Sequence, residues 1–290
     1  MELHQLEYLV AVVEEGGFTR AAARLHIAQP GVSAQIRKLE RELGQPLLDR
    51  SARAVRPTAA GRAVLPYARA ALAAVEGACQ AVDELTGLTR GRVAIGTVTS
   101  HTVDLAGILA DFNARHPLVE ITLVEDASER LVDDVREGRL DAAIVALGAA
   151  DPDGLDVHVV TDEAIDAAVW PGHELAGRDT IPLTALRDRA LICLPRGGGI
   201  RAILDEACAA AGFTPRVAFE AGSPAVLEQL AARRLGVAIL PSSIARHRAH
   251  LHALRIVRPS LRGRLGLAWR RSGPTSPAAA AWLAHARASL

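Results

Sequence analysis

The sequence predicts an α/β chain in three zones: a winged helix-turn-helix over residues 1–58, one long helix over 59–90, and a two-lobed α/β domain over 91–290. Three observations predict it. The first sixty residues hold short helical patterns ending in a basic loop. An Ala-rich stretch follows, PTAAGRAVLPYARAALAAVEGACQAVDEL. From Gly91 onward, strand-like and helix-like segments alternate, as βαβ units of a parallel sheet do.

The length of 290 residues suits two or three domains, since compact domains hold about 100–200 residues each. A formal net charge of zero hides an asymmetry. From Phe18 to Arg69 there are ten strong bases, Arg53 and Arg62 among them, against three acids, Glu40, Glu42 and Asp49. A local excess of this kind attracts a phosphate backbone. Cys79, Cys193 and Cys208 are odd in number and show no C-x-x-C spacing, which fits free thiols in a reducing compartment. The chain opens on an amphipathic pattern, Leu3, Leu6, Leu9, Val10 and Val13, and has no apolar run of membrane-spanning length. No signal peptide, no membrane contact and a cytoplasmic location are therefore expected.

The first zone carries the clearest chemistry. In GFTRAAARLHIAQPGVSAQIRKLERELGQPLL, Thr19 is placed to cap a short helix with Ala21, Ala22 and Leu25 on its buried side. A tight turn at His26-Ile27-Ala28 follows. Gln29-Pro30 opens a second helix, with Pro where its missing N–H costs nothing. Val32, Ile36, Leu39 and Leu43 form its buried stripe, and Gly44 stops it. Two short helices at this spacing read as a helix-turn-helix with its second helix in a major groove. Gln29 would bond an adenine edge and Pro30 pack on a thymine methyl. Ser33, Gln35, Arg37 and Lys38 lie on the polar face, where phosphate contacts position the protein, and Thr19 and Arg20 complete that surface. The next segment, Asp49 to Thr58, has short ends around a basic tip and reads as a β-wing. Arg50 and Arg53 are its candidate contacts, Arg53 for a narrow minor groove.

In the second zone Leu65, Ala68, Leu72, Val75, Ala78, Val82 and Leu85 recur near a 3.5 spacing. That is a coiled-coil-like seam, expected to pair two subunits and set two reading heads about one DNA turn apart on a pseudo-palindromic site. In the third zone, VAIGT precedes Val98 to Thr102 and a helix. In the second half, ALICLP precedes Pro195 to Arg201 and another. Two helix N-termini facing one cleft suit a small anion such as a carboxylate. Gly197 to Gly199 lacks the spacing of a nucleotide-binding loop. His247, His250 and His252 lack zinc-ligand partners and read as surface, so neither a metal nor a cofactor is expected.

The chain resembles the LysR-type transcriptional regulators. The resemblance is carried by LHQLEYLVAVVEEGGFTRAAARLHIAQPGVSAQIRKLERELGQPLL, the arginine-bearing wing and PTAAG, and continues through RHPLVEITLVE, GRLDAAIV and LGVAILP. It implies a winged helix-turn-helix and a dimerising linker helix. It also implies a periplasmic-binding-protein-like effector domain, with lobe I near 91–161 and 265–290 and lobe II near 162–264, and homotetramers built from two dimers. The expected partners are double-stranded DNA, a small-molecule effector and the chain itself, with RNA polymerase a further candidate. The family places its inducers between the lobes, and by position Ser100, His101, Thr102, Ser128, Arg196, Arg201 and Ser223 are the candidate lining residues. Relatives often carry Ser where Ala28 stands and Arg where Ala34 stands, so an operator sequence does not transfer. An α/β enzyme is disfavoured because no G-x-S-x-G elbow or acid/base pair is present. A solute-binding protein is disfavoured by the basic reading head.

Overall fold

In a computed structural model the described residues are 1–50, 54–84, 90–98, 103–148, 150–196, 199–246, 250–273 and 276–290, with side chains not described at 79–84. Three helices open the chain, α1 (Leu3–Glu14), α2 (Phe18–Arg24) and α3 (Gln29–Leu43), followed by the two-stranded wing, β1 (Leu48–Asp49) and β2 (Arg56–Pro57). Their apolar faces close one small core around Leu9, Val12, Ala21, Val32, Ile36, Leu39 and Leu47. The first-turn Pro30 and the left-handed Gly44 cap (φ 68) bound α3 as its sequence implies.

Two local expectations are corrected. Thr19 does not cap α2: the helix starts at Phe18, its N-cap is Gly17, and Thr19 sits exposed inside the first turn. Leu43 is 40% exposed rather than buried, because α3 outruns the core that α1 and the wing close over.

The long helix α4 (Ala59–Glu84) follows directly on Thr58. The Thr58 hydroxyl donates to Pro46 O at 2.7 Å and accepts from Gly61 N–H at 3.0 Å. Gly61 meets the turn before the wing so closely that a Cβ there would stand 2.1 Å from Leu47 O. Only glycine permits that approach. The seam divides along its length. Leu65 and Ala68 are buried in the reading head's own core, whereas Leu72 is half-buried and Val75 and Ala78 are exposed. The Val82 side chain and Leu85 lie outside the described residues.

The remaining chain builds a mixed sheet of ten described strands. Lobe I supplies β3 (Arg90–Thr97), α5 (Leu105–Arg115), β4 (Leu118–Glu125), α6 (Ser128–Arg136) and β5 (Ala142–Leu147). The 15-residue β6 (Leu155–Val169) then runs into lobe II. There lie β7 (Thr180–Pro182), β8 (Leu191–Cys193), α7 (Gly199–Ala210), β9 (Val217–Glu220), α8 (Pro224–Ala232), β10 (Val237–Pro241), α9 (Ser242–Arg246) and β11 (His252–Val257). Strand β12 (Leu261–Arg270) returns to lobe I, where α10 (Pro277–Ser289) closes the chain.

Strand order is β4-β3-β5-β12-β6-β10-β8-β9, with β11 and β7 branching beside β6. The β3, β4 and β5 pairings and those of β8 with β9 and β10 are parallel. The long strands are not: β12 is antiparallel to β5 and β6, and β10 and β11 are antiparallel to β6. The expected parallel sheet is therefore two parallel sets stitched by an antiparallel pair that crosses between them. The β12–β6 ladder slips at Leu265/Gly266, opposite Thr161 and Val159. Such a bulge bends and twists the pair, here where one lobe gives way to the other. Separate apolar clusters fill the two lobes, around Phe112 and Trp282 in the first and around Ile165, Leu204 and Ile256 in the second.

Candidate functional sites: a reading surface and an interlobe cleft

The exposed side of α3 presents Gln29, Pro30, Gly31, Ala34, Arg37, Lys38 and Arg41, with Ser33 half-buried. Arg37 and Arg41 are one helical turn apart. They edge an open hollow of about 560 Å³ with Ala34, Glu40 and the turn from Gly44 to Pro46. Arg41 escaped the sequence reading, although its i+4 spacing from Arg37 was visible there. Gln35 is corrected in the other direction. It is half-buried, and its Oε1 accepts at 3.1 Å from Gln5 Nε2, a fully buried side chain of α1. Gln35 therefore ties α3 to α1 rather than facing outward.

Glu40 organises the wing. One carboxylate oxygen accepts from Leu47 N–H (3.0 Å) and Leu48 N–H (3.2 Å), and the other accepts from Arg50 at 2.9 Å. The Arg50 guanidinium also lies 4.9 Å from the centroid of the Phe18 ring. A cation over an aromatic face is attracted by the ring quadrupole, so Arg50 is held in place from two sides. Val55 N–H donates to Gly16 O at 3.1 Å, fixing the wing's second strand to the α1–α2 turn. Arg20 stays exposed, with its Nε donating to Glu15 O. Arg53 lies outside the described residues.

Between the lobes a cavity of about 250 Å³ is lined by Val98, Asp126, Ala127, Ser128 and Ala146 from lobe I. Lobe II contributes Leu194, Pro195, Arg196, Gly199 and Gly222. Ser128 opens α6 and is 8% exposed; its Oγ accepts from Ala146 N–H at 3.0 Å, leaving its proton to donate. Gly199 opens α7, so the N-termini of two helices, the ends where anions are favoured, meet at the cavity. Arg196 is exposed at its edge and has no ion pair among the described residues. Ser223 is the N-cap of α8, beside the lining Gly222, and makes no side-chain cap bond. Ser100, His101 and Thr102 lie outside the described residues.

Arg201 is a correction. It is 3% exposed and points into lobe II. Its Nε donates to both oxygens of Asp205 at 3.0 Å, and its Nη1 donates to Glu220 Oε1 at 2.7 Å and to Leu194 O. A guanidinium so engaged anchors α7 to β9 and has little left for a ligand.

Gly199 sets how near the lobes come. A Cβ there would stand 2.5 Å from Ala146 Cβ, so any side chain would prop the cleft apart. Behind this contact, a small space of about 30 Å³ is bounded by Thr161, Glu163, Ile165, Ile200 and Ile203, among others. A wider one of about 500 Å³ includes Glu206, Arg262 and Arg264. Arg264 lines both and was missed from sequence; only its place on the crossing strand β12 brings it there. Cys193 and Cys208 are buried, and burial pushes their thiols up to about 12 and about 11. Among the described residues no three His, Cys, Asp or Glu side chains gather as metal ligands, and no helix is long and apolar enough to cross a membrane.

Residues 3–62 match the bacterial regulatory helix-turn-helix proteins of the lysR family, and residues 86–290 match the LysR substrate binding domain. The chain belongs to the LysR family. It is a DNA-binding transcriptional regulator with an effector-binding domain. It is 36% identical over 245 residues to the HTH-type transcriptional regulator ShiR of Corynebacterium glutamicum, a match covering 82% of each chain. It is 34% identical over 270 residues to a probable hydrogen peroxide-inducible genes activator of Mycobacterium leprae, covering 91% of this chain and 86% of that one. Among solved structures, a cysteine-to-aspartate variant of full-length OxyR from Pseudomonas aeruginosa superposes with a TM-score of 0.75 at 26% identity. That match covers 99% of this chain and 95% of that one.

Proposed function

We propose that this LysR-family regulator is switched by a small anionic effector held between its lobes, with Ser128 and Arg196 as its principal ligands and Ser223 beside them. The supporting observation is the open Arg196 guanidinium at a cavity where the N-termini of α6 and α7 meet the buried Ser128 hydroxyl. Cation, hydroxyl and helix N-termini on one space suit a carboxylate-sized anion, the lining Asp126 carboxylate being taken up by Arg130 and the Ala127 N–H. Ser100, His101 and Thr102 remain part of the proposed site by their position in the chain. On the DNA side, Gln29 and Pro30 read base edges, while Arg20, Ser33, Arg37, Lys38 and Arg41 bind phosphates. Arg50 orients the wing, and Arg53 enters the minor groove. Paired chains place two such heads on one operator, and the partly open outer half of the α4 seam is available for that pairing. The protein acts in the cytoplasm without catalysing a reaction.

The thiolate is the reactive form of cysteine, and burial disfavours it at Cys193 and Cys208, so neither of these two thiols is suited to sensing peroxide.

A calorimetric screen of small carboxylates against the full-length protein tests the effector site. A binder should lose about tenfold or more in affinity with Arg196→Ala, the worth of a charge-assisted hydrogen bond, while the unfolding midpoint stays unchanged. Equal affinity in the variant removes Arg196 from the site.

A further inference from the structure

We infer that Arg69 on the linker helix is a positioning residue that couples the reading head to the effector domain through α6. Arg69 lies in the first half of α4 and is 8% exposed. It touches two domains at once. Its Nη2 stands 3.6 Å from Glu14 Oε1 at the end of α1, and its Nη1 donates at 3.2 Å to Glu137 O, the C-cap of α6. Its Nε is buried with no hydrogen-bond partner. A buried guanidinium with five N–H donors and an incomplete set of acceptors depends on each contact it has. Losing either one leaves the buried guanidinium with only the other of these two partners.

The other end of α6 lies at the cleft. The helix begins at Ser128, the lobe I hydroxyl of the interlobe cavity, and ends at the carbonyls that arginines cap. Arg270 donates to Val135 O at 3.3 Å, beside the Arg69–Glu137 contact. Nine residues of helix span about 13 Å. The rod is packed against β5 and β12 and cannot stretch. A displacement at Ser128 is therefore delivered to Glu137 O, and a shift of a few tenths of an ångström is enough to weaken a 3.2 Å bond. Arg69 then moves relative to Glu14, and α1, which carries the Gln5–Gln35 link to the recognition helix, is freed or held accordingly. This deepens the cleft reading and rests on it for the site at the far end of α6. The test reads from the DNA side, so its failure leaves that reading standing.

Coupling between two sites is reciprocal. DNA that fixes the reading head must therefore change the behaviour of α6. The probe is a duplex selected from a random pool by the full-length protein. Amide hydrogen exchange is followed across residues 128–140 with and without it. In the wild type, DNA should change exchange there by about fivefold or more, the lower end of ordinary coupling. In Arg69→Met, which keeps the packed stem and removes the charge, the response should fall below about twofold while DNA is still bound. Glu14→Gln is the second variant, decisive if Arg69→Met fails to fold, and should lose most of the response. Glu14 also pairs with Arg24 at 2.8 Å, so Arg24→Gln is the control and should keep it. An unresponsive α6 in the wild type, or an undiminished response in Arg69→Met or Glu14→Gln, overturns the inference.

Discussion

The reading head and the interlobe cleft assemble their functional groups in opposite ways. In the head, three outward bases sit together on one helix, with Arg37 and Arg41 one turn apart and Lys38 between them. In the cleft, Ser128, Ala146, Arg196 and Gly199 are delivered by different elements of two lobes. The head is thus organised by local periodicity and by Glu40, while the cleft exists only once β6 and β12 have crossed. A single change in the head should disturb stability and reading together. In the cleft the two should separate.

The strongest way to break this comparison is at Gly61. Gly61→Val forces side-chain atoms onto Leu47 O and should cost about 3 kcal/mol, the upper end of overpacking penalties. Urea unfolding should show the loss, with DNA binding falling in parallel. Retained DNA binding after such a loss would show that the head does not need its docked linker.

Next comes Arg201. Arg201→Met should destabilise lobe II by about 2 kcal/mol. That is less than the roughly 3–5 kcal/mol of a fully buried broken pair, since the Asp205 and Glu220 side chains are 35% and 45% exposed and regain water. Carboxylate affinity should stay within about twofold. A large affinity loss without destabilisation would return Arg201 to the site.

Glu40→Ala should cost about 1.5 kcal/mol, leaving the Leu47 and Leu48 N–H groups without their acceptor. DNA binding should weaken although a negative charge has been removed near the phosphates. Tighter binding on salt titration would show that Glu40 acts by charge alone.

The smallest effect concerns pH. Burial raises the Asp141 carboxyl above its ordinary value, with Glu76 adding to the rise and the Ala94 N–H bond and Arg270 opposing it. The native state therefore holds this proton more tightly than the unfolded chain. Its contribution is present below the ordinary carboxylate range and is lost as pH climbs through the raised native value. Asp141→Asn should flatten the decline of stability across that window, by calorimetry at a series of pH values.

Much of the head was legible because helix periodicity is local. Val32, Ile36 and Leu39 announce the buried face of α3, and Pro30 and Gly44 its ends. The errors there came from neighbours that the pattern does not contain. Gln35 looked like a surface amide until Gln5 of α1 was placed against it, and Thr19 lost its cap role to a helix starting two residues sooner, capped at Gly17. In the cleft, Ser128 and Arg196 were legible as residues next to helix starts. Arg201 looked equivalent to Arg196 because both lie near one helix N-terminus, and only the fold turns one to solvent and the other onto Asp205 and Glu220.

The sequence by itself determined the family, the helix-turn-helix with its basic face, and the alternation that makes two βα lobes. These rest on short-range spacing and on charge, which a chain carries in any conformation. The tertiary structure alone decided that β6 and β12 stitch the lobes into one mixed sheet, that Gly199 faces Ala146 across the cleft, and that Leu65 and Ala68 of the linker seam are spent on its own reading head. Each of these depends on which distant segments share a face, and the free energy of that choice comes from packing and burial between residues far apart in the chain.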